Sequence, residues 1–249
     1  MPGLVAGAQD MLRRALADGD GRLIVGLSGG KDSLVTLDLA CRAAGAEASE
    51  RVLPFFMFLV RGLRCVEAGI EAAAARHRVR VVYFPHWILD RHLAGANLMP
   101  HPLWRAQRQS RAPLGINDIE RAARAKIGAE AFIAYGHRMD ESLPRRGMLK
   151  GRAGYLEKER RVYPLWNWSS KDVFAYLRAR RIPLPVQLGK GDVSGVDLTL
   201  PAMSVLKEHY PDDYARVREV FPYVDALFVR AESIRAKAGE VEPSTKILS

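Results

Sequence analysis

Cysteine is scarce, with two residues in a chain of 249. That excludes a disulfide scaffold, a cysteine-only zinc site and a four-cysteine iron–sulfur cluster within one chain. No iron–sulfur cofactor is therefore expected. Long apolar runs are missing too. The longest, Val52–Val60, is broken by Pro54 and falls far short of a bilayer span, so no membrane association is expected. Met1–Asp10 carries neither the basic start nor the long apolar segment of a secretory signal. A reducing, cytoplasmic compartment is the expectation. Two common nucleotide signatures are absent: G-x-x-x-x-G-K-[ST] and the dinucleotide fingerprint G-x-G-x-x-G. Acidic residues run short as well, 28 against 38 Lys and Arg, which leaves a formal charge of +10. Such an excess favours polyanionic partners.

What is present suits a folded α/β protein. Hydrophobic residues make up 48% and charged residues 27%, close to globular averages, so wholesale disorder is excluded. The length fits one domain with a small appendage. Arg22–Leu27, Leu53–Val60, Arg78–Phe84, Ala131–Tyr135 and Val162–Leu165 read as short buried strands. Between and around them Gln9–Ala17, Leu34–Ala44, Cys65–Arg76, Asn117–Ile127 and Ser169–Arg180 have helical spacing. Asn117 or Asp118 serves as one cap, and Ser169 or Ser170 as another. Pro100–Pro113 reads as beginning with an irregular loop. Alternating strands and helices predict a doubly wound, mostly parallel sheet of about five strands. After residue 183 the pattern turns helical, broken by Pro211 and Pro222, with a polar tail from Gly239 to Ser249. The division expected is an α/β nucleotide-binding domain over 1–183 and a helical extension over 184–249 carrying acceptor or partner contacts.

Such sheets bind ligands beyond the carboxyl ends of their strands. Two turns there hold unusual chemistry. Ser28-Gly-Gly-Lys-Asp-Ser33 lies between a strand and a helix. Gly29 and Gly30 allow the main chain to bend and present its N–H groups. The following helix adds partial positive charge at its N-terminus. Ser28 and Ser33 supply hydroxyls and Lys31 a mobile cation, which together make a pyrophosphate cradle. Asp32 has two readings, a helix cap or a Mg²⁺ ligand. The second turn is Gly136-His-Arg-Met-Asp-Glu-Ser142. Gly136 permits close approach of a ligand, Arg138 suits a bidentate contact to phosphate or sulfate, and Glu141 suits holding an Arg in place. A structural ion pair is the other reading of Arg138 and Glu141. His137 reads as a hydrogen-bonding loop residue, and Trp166 and Trp168 as packing residues.

SGGKDS after a strand resembles the loop of the PP-loop ATP pyrophosphatases. The segment carrying Arg138, Glu141 and Ser142 is similar to G-x-R-x-x-E-S of the phosphoadenosine phosphosulfate reductase-like branch. A third stretch, Val162–Leu177 with the following Ile182-Pro183, is similar to that branch's P-[LI]-x-x-W-x-x-x-D-[VI]-x-x-Y-[LI] segment. A rival resemblance runs from Gly136-His137 and Asp140 to the G-H-x-x-D-D of tRNA-modifying members, with Glu141 in place of the second Asp. The resemblance implies an adenine nucleotide alpha-hydrolase-like fold and use of ATP with Mg²⁺. It places Ser28, Gly29, Gly30, Lys31, Asp32 and Ser33 around the β- and γ-phosphates and adds Gly136, Arg138 and Glu141 to the nucleotide site. Lys31 and Arg138 are the implied catalytic residues, and Asp32 the implied metal ligand.

The sequence departs from the reductases in one respect. Their reaction needs a thiolate in a C-terminal E-C-G-[LI]-H segment, and here no Cys follows Cys65. Cys41 reads as a small core residue, and Cys65 as a residue open in part to solvent. The remaining expectation is an enzyme that splits ATP at its α,β bond and adenylylates an anionic acceptor with release of pyrophosphate. Two alternatives stand beside it. One is an adenylyl-sulfate or phosphoadenylyl-sulfate reductase working through an unrecognised thiol such as Cys65. The other is a nucleotide-binding subunit of a DNA phosphorothioation or tRNA modification complex. Nucleic acid or a partner protein is thus a candidate partner, and a homodimer is compatible with the sequence. Two basic sets, Lys150, Arg152, Lys158, Arg160 and Arg161, and Arg105, Arg108, Arg111, Arg121 and Arg124, are candidates for the acceptor face or for a solvated surface. Gly189–Asp197 departs from the reductase pattern where substrate contacts are expected.

Overall fold

The apolar runs of the sequence become the strands of one sheet in the computed structural model, which describes residues 1–95, 98–100, 114–183 and 197–237. In chain order the elements are α1 (Pro2–Asp18), β1 (Leu23–Gly26), α2 (Lys31–Ala44), the one-turn α3 (Ala48–Arg51), β2 (Val52–Phe58), α4 (Arg64–His77), β3 (Val82–Pro85) and α5 (Trp87–Ala94). There follow α6 (Ile116–Ile127), β4 (Phe132–Ala134), α7 (Leu143–Lys150), β5 (Tyr155–Leu156), β6 (Arg161–Val162), α8 (Ser170–Arg180), α9 (Leu200–His209), α10 (Pro211–Val220) and α11 (Ala226–Lys237). The strand order is β3-β2-β1-β4-β6-β5. All neighbours pair in parallel except β5 with β6, which pair antiparallel. Among the described residues the sheet thus has six strands, where about five were expected. The added β5 is the first arm of the hairpin with β6 and too short for any periodic signal.

Side chains alternate across each strand, so successive residues enter different cores. Leu23 and Val25 of β1, with Phe132 and Ala134 of β4, join the cluster formed by α1, α2, α4 and α8. Ile24, Ala131 and Ile133 face the other way, against Ile119 and Ala123 of α6. Both faces are covered, as the continuous apolar runs require. The first helix begins at Pro2 rather than Gln9, with the proline in its first turn, where a missing N–H costs nothing. Asp118 does cap α6, but from inside: its carboxylate accepts from the Gly115 N–H, while Asn117 turns to Arg161. Ser169 caps α8 as expected, its hydroxyl accepting from the Asp172 N–H.

α9, α10 and α11 build a separate cluster against Val60, Leu63 and Cys65. Asp213, at the start of α10, accepts hydrogen bonds from the Arg64 and Cys65 N–H groups at 3.0 and 2.8 Å. It caps α4 from 148 residues away in the chain. Among the described residues no helix is long and apolar enough to cross a membrane. Arg105, Arg108, Arg111, the segment Gly189–Val196 and the tail from Gly239 lie outside the described residues.

One buried carboxylate ties α2 to α4 and α8. Asp38 is fully buried and accepts from Tyr176 Oη at 2.6 Å and Arg180 Nε at 3.1 Å, with His77 Nε2 at 3.2 Å. Burial raises its pKa, but hydrogen bonds from His77, Tyr176 and Arg180 outweigh that and hold it well below the usual carboxylate range. A carboxyl with a depressed folded pKa stabilises above its unfolded value of about 3.9, and that contribution is lost as pH falls through the folded one. Asp38→Asn therefore lowers Tm at pH 7, and the gap to the unmodified protein narrows below about pH 4. Thermal melts between pH 7 and 3 check this. A gap independent of pH means that Asp38 contributes shape rather than charge.

Candidate active site

β1 and β4 are adjacent and parallel, so the turns that follow them leave the same end of the sheet side by side. The chain runs outward from β1 to β2 and β3, then crosses to β4 on the other side. The gap between β1 and β4 is thus the switch point of the sheet order. The loop Ser28–Ser33 and the loop Gly136–Ser142 meet there.

The first loop is held by its own hydroxyls. Ser33 Oγ donates to the Gly30 carbonyl at 2.8 Å and accepts from the Ser28 N–H at 3.1 Å. The two serine hydroxyls lie 3.2 Å apart. Gly29 has φ +80°, which a side chain would strain, and its Cα faces Val66 and Ile70 of α4. α2 starts at Lys31 with Gly30 as N-cap. The first intrahelical bond runs from the Leu34 N–H to the Gly30 carbonyl, so the N–H groups of Lys31, Asp32 and Ser33 lie ahead of the helical ladder. These are the donors a pyrophosphate group would meet.

The second loop presses on the first. A Cβ on Gly136 would stand 2.8 Å from both the carbonyl carbon and oxygen of Asp32 and 3.0 Å from the Ser33 nitrogen. Only glycine permits this contact. Arg138, 4% exposed, reaches across and donates from Nε to Asp32 Oδ1 at 2.6 Å. Asp32 Oδ2 lies 3.1 Å from Lys31 Nζ, and Lys31 is itself 3% exposed. Glu141 accepts from the Arg138 N–H at 3.1 Å, approaches its guanidinium and pairs with Arg145. The result is a line of alternating charges: Lys31, Asp32, Arg138, Glu141, Arg145. Gly30 is the N-cap of α2, and the Asp32 carboxylate in its first turn is held by Arg138 and Lys31. Both of its oxygens face cations. A Mg²⁺ ion held by Asp32 would have to displace one of them.

The two loops border a cleft of about 820 Å³. Ser28, Gly30, Lys31, Asp32, Ser33, Gly136 and Glu141 line it, whereas Gly29 faces a second cavity beside α4 and Arg138 lies behind the wall. The cleft also contains Tyr135, Tyr163, Phe174 and Glu120, which sequence reasoning passed over, and Arg161 from the basic set after the second loop. Buried Glu120 accepts from Arg161 Nε and Nη2 at 2.9 and 2.8 Å and from the Tyr135 hydroxyl at 2.8 Å. No local signal marks this triad, because its members are up to 41 residues apart. The rings of Tyr135, His137 and Tyr163 lie nearly parallel, with centroids 5.5–6.1 Å apart. Burial, then the Arg145 charge, lowers the His137 pKa to about 4, with Asp32 opposing. The imidazole is neutral at pH 7.

The thiols lie elsewhere. Cys65 is buried, against the expectation of partial exposure, because α9–α11 close over the start of α4. Burial and a hydrogen bond with Asp213 push its thiol far above the ordinary range, and burial and Asp38 push Cys41 up to about 12. Neither forms a thiolate at neutral pH. Replacing both by Ala should leave nucleotide turnover within about threefold while lowering Tm through lost packing. Loss of turnover in the folded double variant would return a thiol to the mechanism.

Residues 22–194 match the family described as the phosphoadenosine phosphosulfate reductase domain. No curated protein matches the sequence. Among solved structures, a phosphoadenylyl-sulfate reductase from Candida auris in a phosphate complex is 17% identical, covers 72% of this chain and 82% of its own, and has a TM-score of 0.45. An NH₃-dependent NAD synthetase from Campylobacter jejuni is 14% identical over 100% of this chain and 98% of its own, TM-score 0.49. A U34-tRNA thiolase from Methanococcus maripaludis, with its [4Fe-4S] cluster, is 18% identical over 89% and 79%, TM-score 0.44.

Proposed function

The chain belongs to the phosphoadenosine phosphosulfate reductase domain family of the PP-loop superfamily, and on that premise we propose that it cleaves ATP between the α- and β-phosphates and adenylylates an acceptor. The observation that supports this reading is the contact of the two loops, which brings the start of α2, with Lys31, Ser28 and Ser33, against Gly136 along one cleft. In the step, a nucleophilic atom of the acceptor bonds to the α-phosphorus. The bond from that phosphorus to the bridging oxygen breaks, pyrophosphate leaves with the oxygen, and the acceptor's proton passes to water. Negative charge grows on the leaving group, which the α2 N–H groups and Lys31 stabilise. For that, Lys31 exchanges Asp32 for phosphate oxygens, and Arg138 keeps Asp32 occupied. A magnesium ion, where it accompanies the triphosphate, offsets phosphate charge. Both buried thiols argue against the reductase alternative.

Incubation with ATP, Mg²⁺ and candidate acceptors, followed by separation of nucleotides and phosphates, tests this. The expected products are pyrophosphate with AMP or an AMP conjugate. ADP and orthophosphate as the main products would refute the loop assignment.

A further inference from the structure

α7 follows the second loop, sends Arg145 into the wall of the cleft, and carries features that neither helix stability nor packing explains. Six large apolar side chains are exposed among the described residues; Leu143 at 78% and Met148 at 40% belong to this eight-residue helix, and Val229 and Ile234 to α11. Its first turn holds Arg145 and Arg146 and no acid, the reverse of what the helix dipole favours. Gly147, inside the helix, has nothing within 4 Å of where a Cβ would stand, so no close contact requires it. Several cations nearby are neutralised: Arg145 by Glu141, Arg152 by Glu159, Arg160 by Glu130 and Arg161 by Glu120. Arg146, Lys150 and Lys158 are exposed and have no acidic partner among the described residues. Two free cations, Arg146 and Lys150, therefore share one helix with two exposed apolar side chains, and Lys158 stands beyond them in the β5–β6 turn.

We propose that this face docks a single-stranded nucleic acid and leads it to the cleft. A strand's phosphates pair with Arg146, Lys150 and Lys158, while its unstacked bases lie on Leu143 and Met148. A duplex would keep its bases from those side chains. The helix reaches the cleft directly, because Arg145 of α7 and its partner Glu141 both line it. Beyond it the near-parallel, uncharged rings of Tyr135, His137 and Tyr163 line the cleft, and aromatic rings are the side chains on which unpaired bases stack. An acidic protein surface would use the cations but not the rings. The docking stands on the surface itself; the strand's service as acceptor rests on the adenylyl-transfer reading.

Fluorescence anisotropy with labelled RNA and DNA single strands of about 20 nucleotides tests the docking. Three phosphate contacts predict a salt slope of about −2 in log K against log[salt]. Combined Arg146→Ala, Lys150→Ala and Lys158→Ala should weaken binding by about tenfold or more at low salt and flatten that slope. Leu143→Ser with Met148→Ser should weaken binding and leave the slope unchanged. All of these residues are exposed, so folding is retained. Pyrophosphate binding, measured by calorimetry on the same samples, should not change in either variant. Three outcomes would overturn the proposal: a triple variant that binds like the unmodified protein, a preference for duplex, or equal competition by polyglutamate or anionic phosphatidylserine vesicles. Failure of the unmodified protein to bind pyrophosphate would instead strike the nucleotide-site reading and leave the docking result to stand by itself.

Discussion

Lys31→Ala should lower the rate of pyrophosphate formation by about 10²-fold or more, with a much smaller change in KM. The reason is where the charge develops. In ground-state ATP the triphosphate charge is already spread over its oxygens. As the α,β bond breaks, it concentrates on the departing pyrophosphate, and only a group placed there favours the transition state over the bound substrate. Lys31 opens α2 in the Ser28–Ser33 loop, is buried, and lies 3.1 Å from Asp32 Oδ2. A cation in so dry a place acts with little screening. Removing it also leaves Asp32 with Arg138 as its remaining cation in that line of charge, a second reason for the loss. Lys31→Arg keeps the charge but not the compact reach of an ammonium and should recover only part of the rate. Steady-state kinetics of pyrophosphate release measure both variants. An effect confined to KM would show that Lys31 merely binds ATP.

Gly136→Ala should cost both the site and the fold. The added Cβ would stand 2.8 Å from two backbone atoms of Asp32 and 3.0 Å from the Ser33 nitrogen. Backbone cannot swing aside as a long side chain can, so the two loops must separate. Overpacking of this kind costs about 1–3 kcal/mol of stability. The separation also pulls Arg138 off Asp32, a bond of 2.6 Å, and moves the N–H donors of the first loop from the line of the second. Misplacement by about 1 Å is enough for a 10²-fold loss of rate. Calorimetric titration with pyrophosphate and denaturant unfolding give the two numbers separately. A variant that unfolds more easily yet binds pyrophosphate as tightly as before would show that the loop contact is structural and not part of the site.

Both predictions rest on residues that the sequence marks. Gly29, Gly30 and Lys31 stand in a Gly-rich turn between a strand and a helix, and Gly136 ends a strand. Local pattern reveals such turns because glycine, strand propensity and helix spacing are properties of adjacent residues. The same is true of β1, β2 and β4, whose apolar runs match the strands to within a residue or two. Other features have no local mark. The Asp32–Arg138 bond joins residues 106 apart, and the left-open choice between a metal ligand and a helix cap did not include it. The basic set after the second loop reads as uniform charge, yet Arg152, Arg160 and Arg161 are paired and Lys150 and Lys158 are not.

The sequence by itself determined the parallel sheet and the Gly-rich turn Ser28–Ser33 between strand and helix, since each is written in neighbouring residues. Only the tertiary structure decided that Cys65 is sealed by α9–α11, that Arg138 turns to Asp32, and that Gly136 rests on the backbone of the Ser28–Ser33 loop. Those outcomes depend on which strands become neighbours. The pairing of β1 with β4 brings together segments about a hundred residues apart, and that choice belongs to the energy of the whole sheet rather than to any stretch of chain.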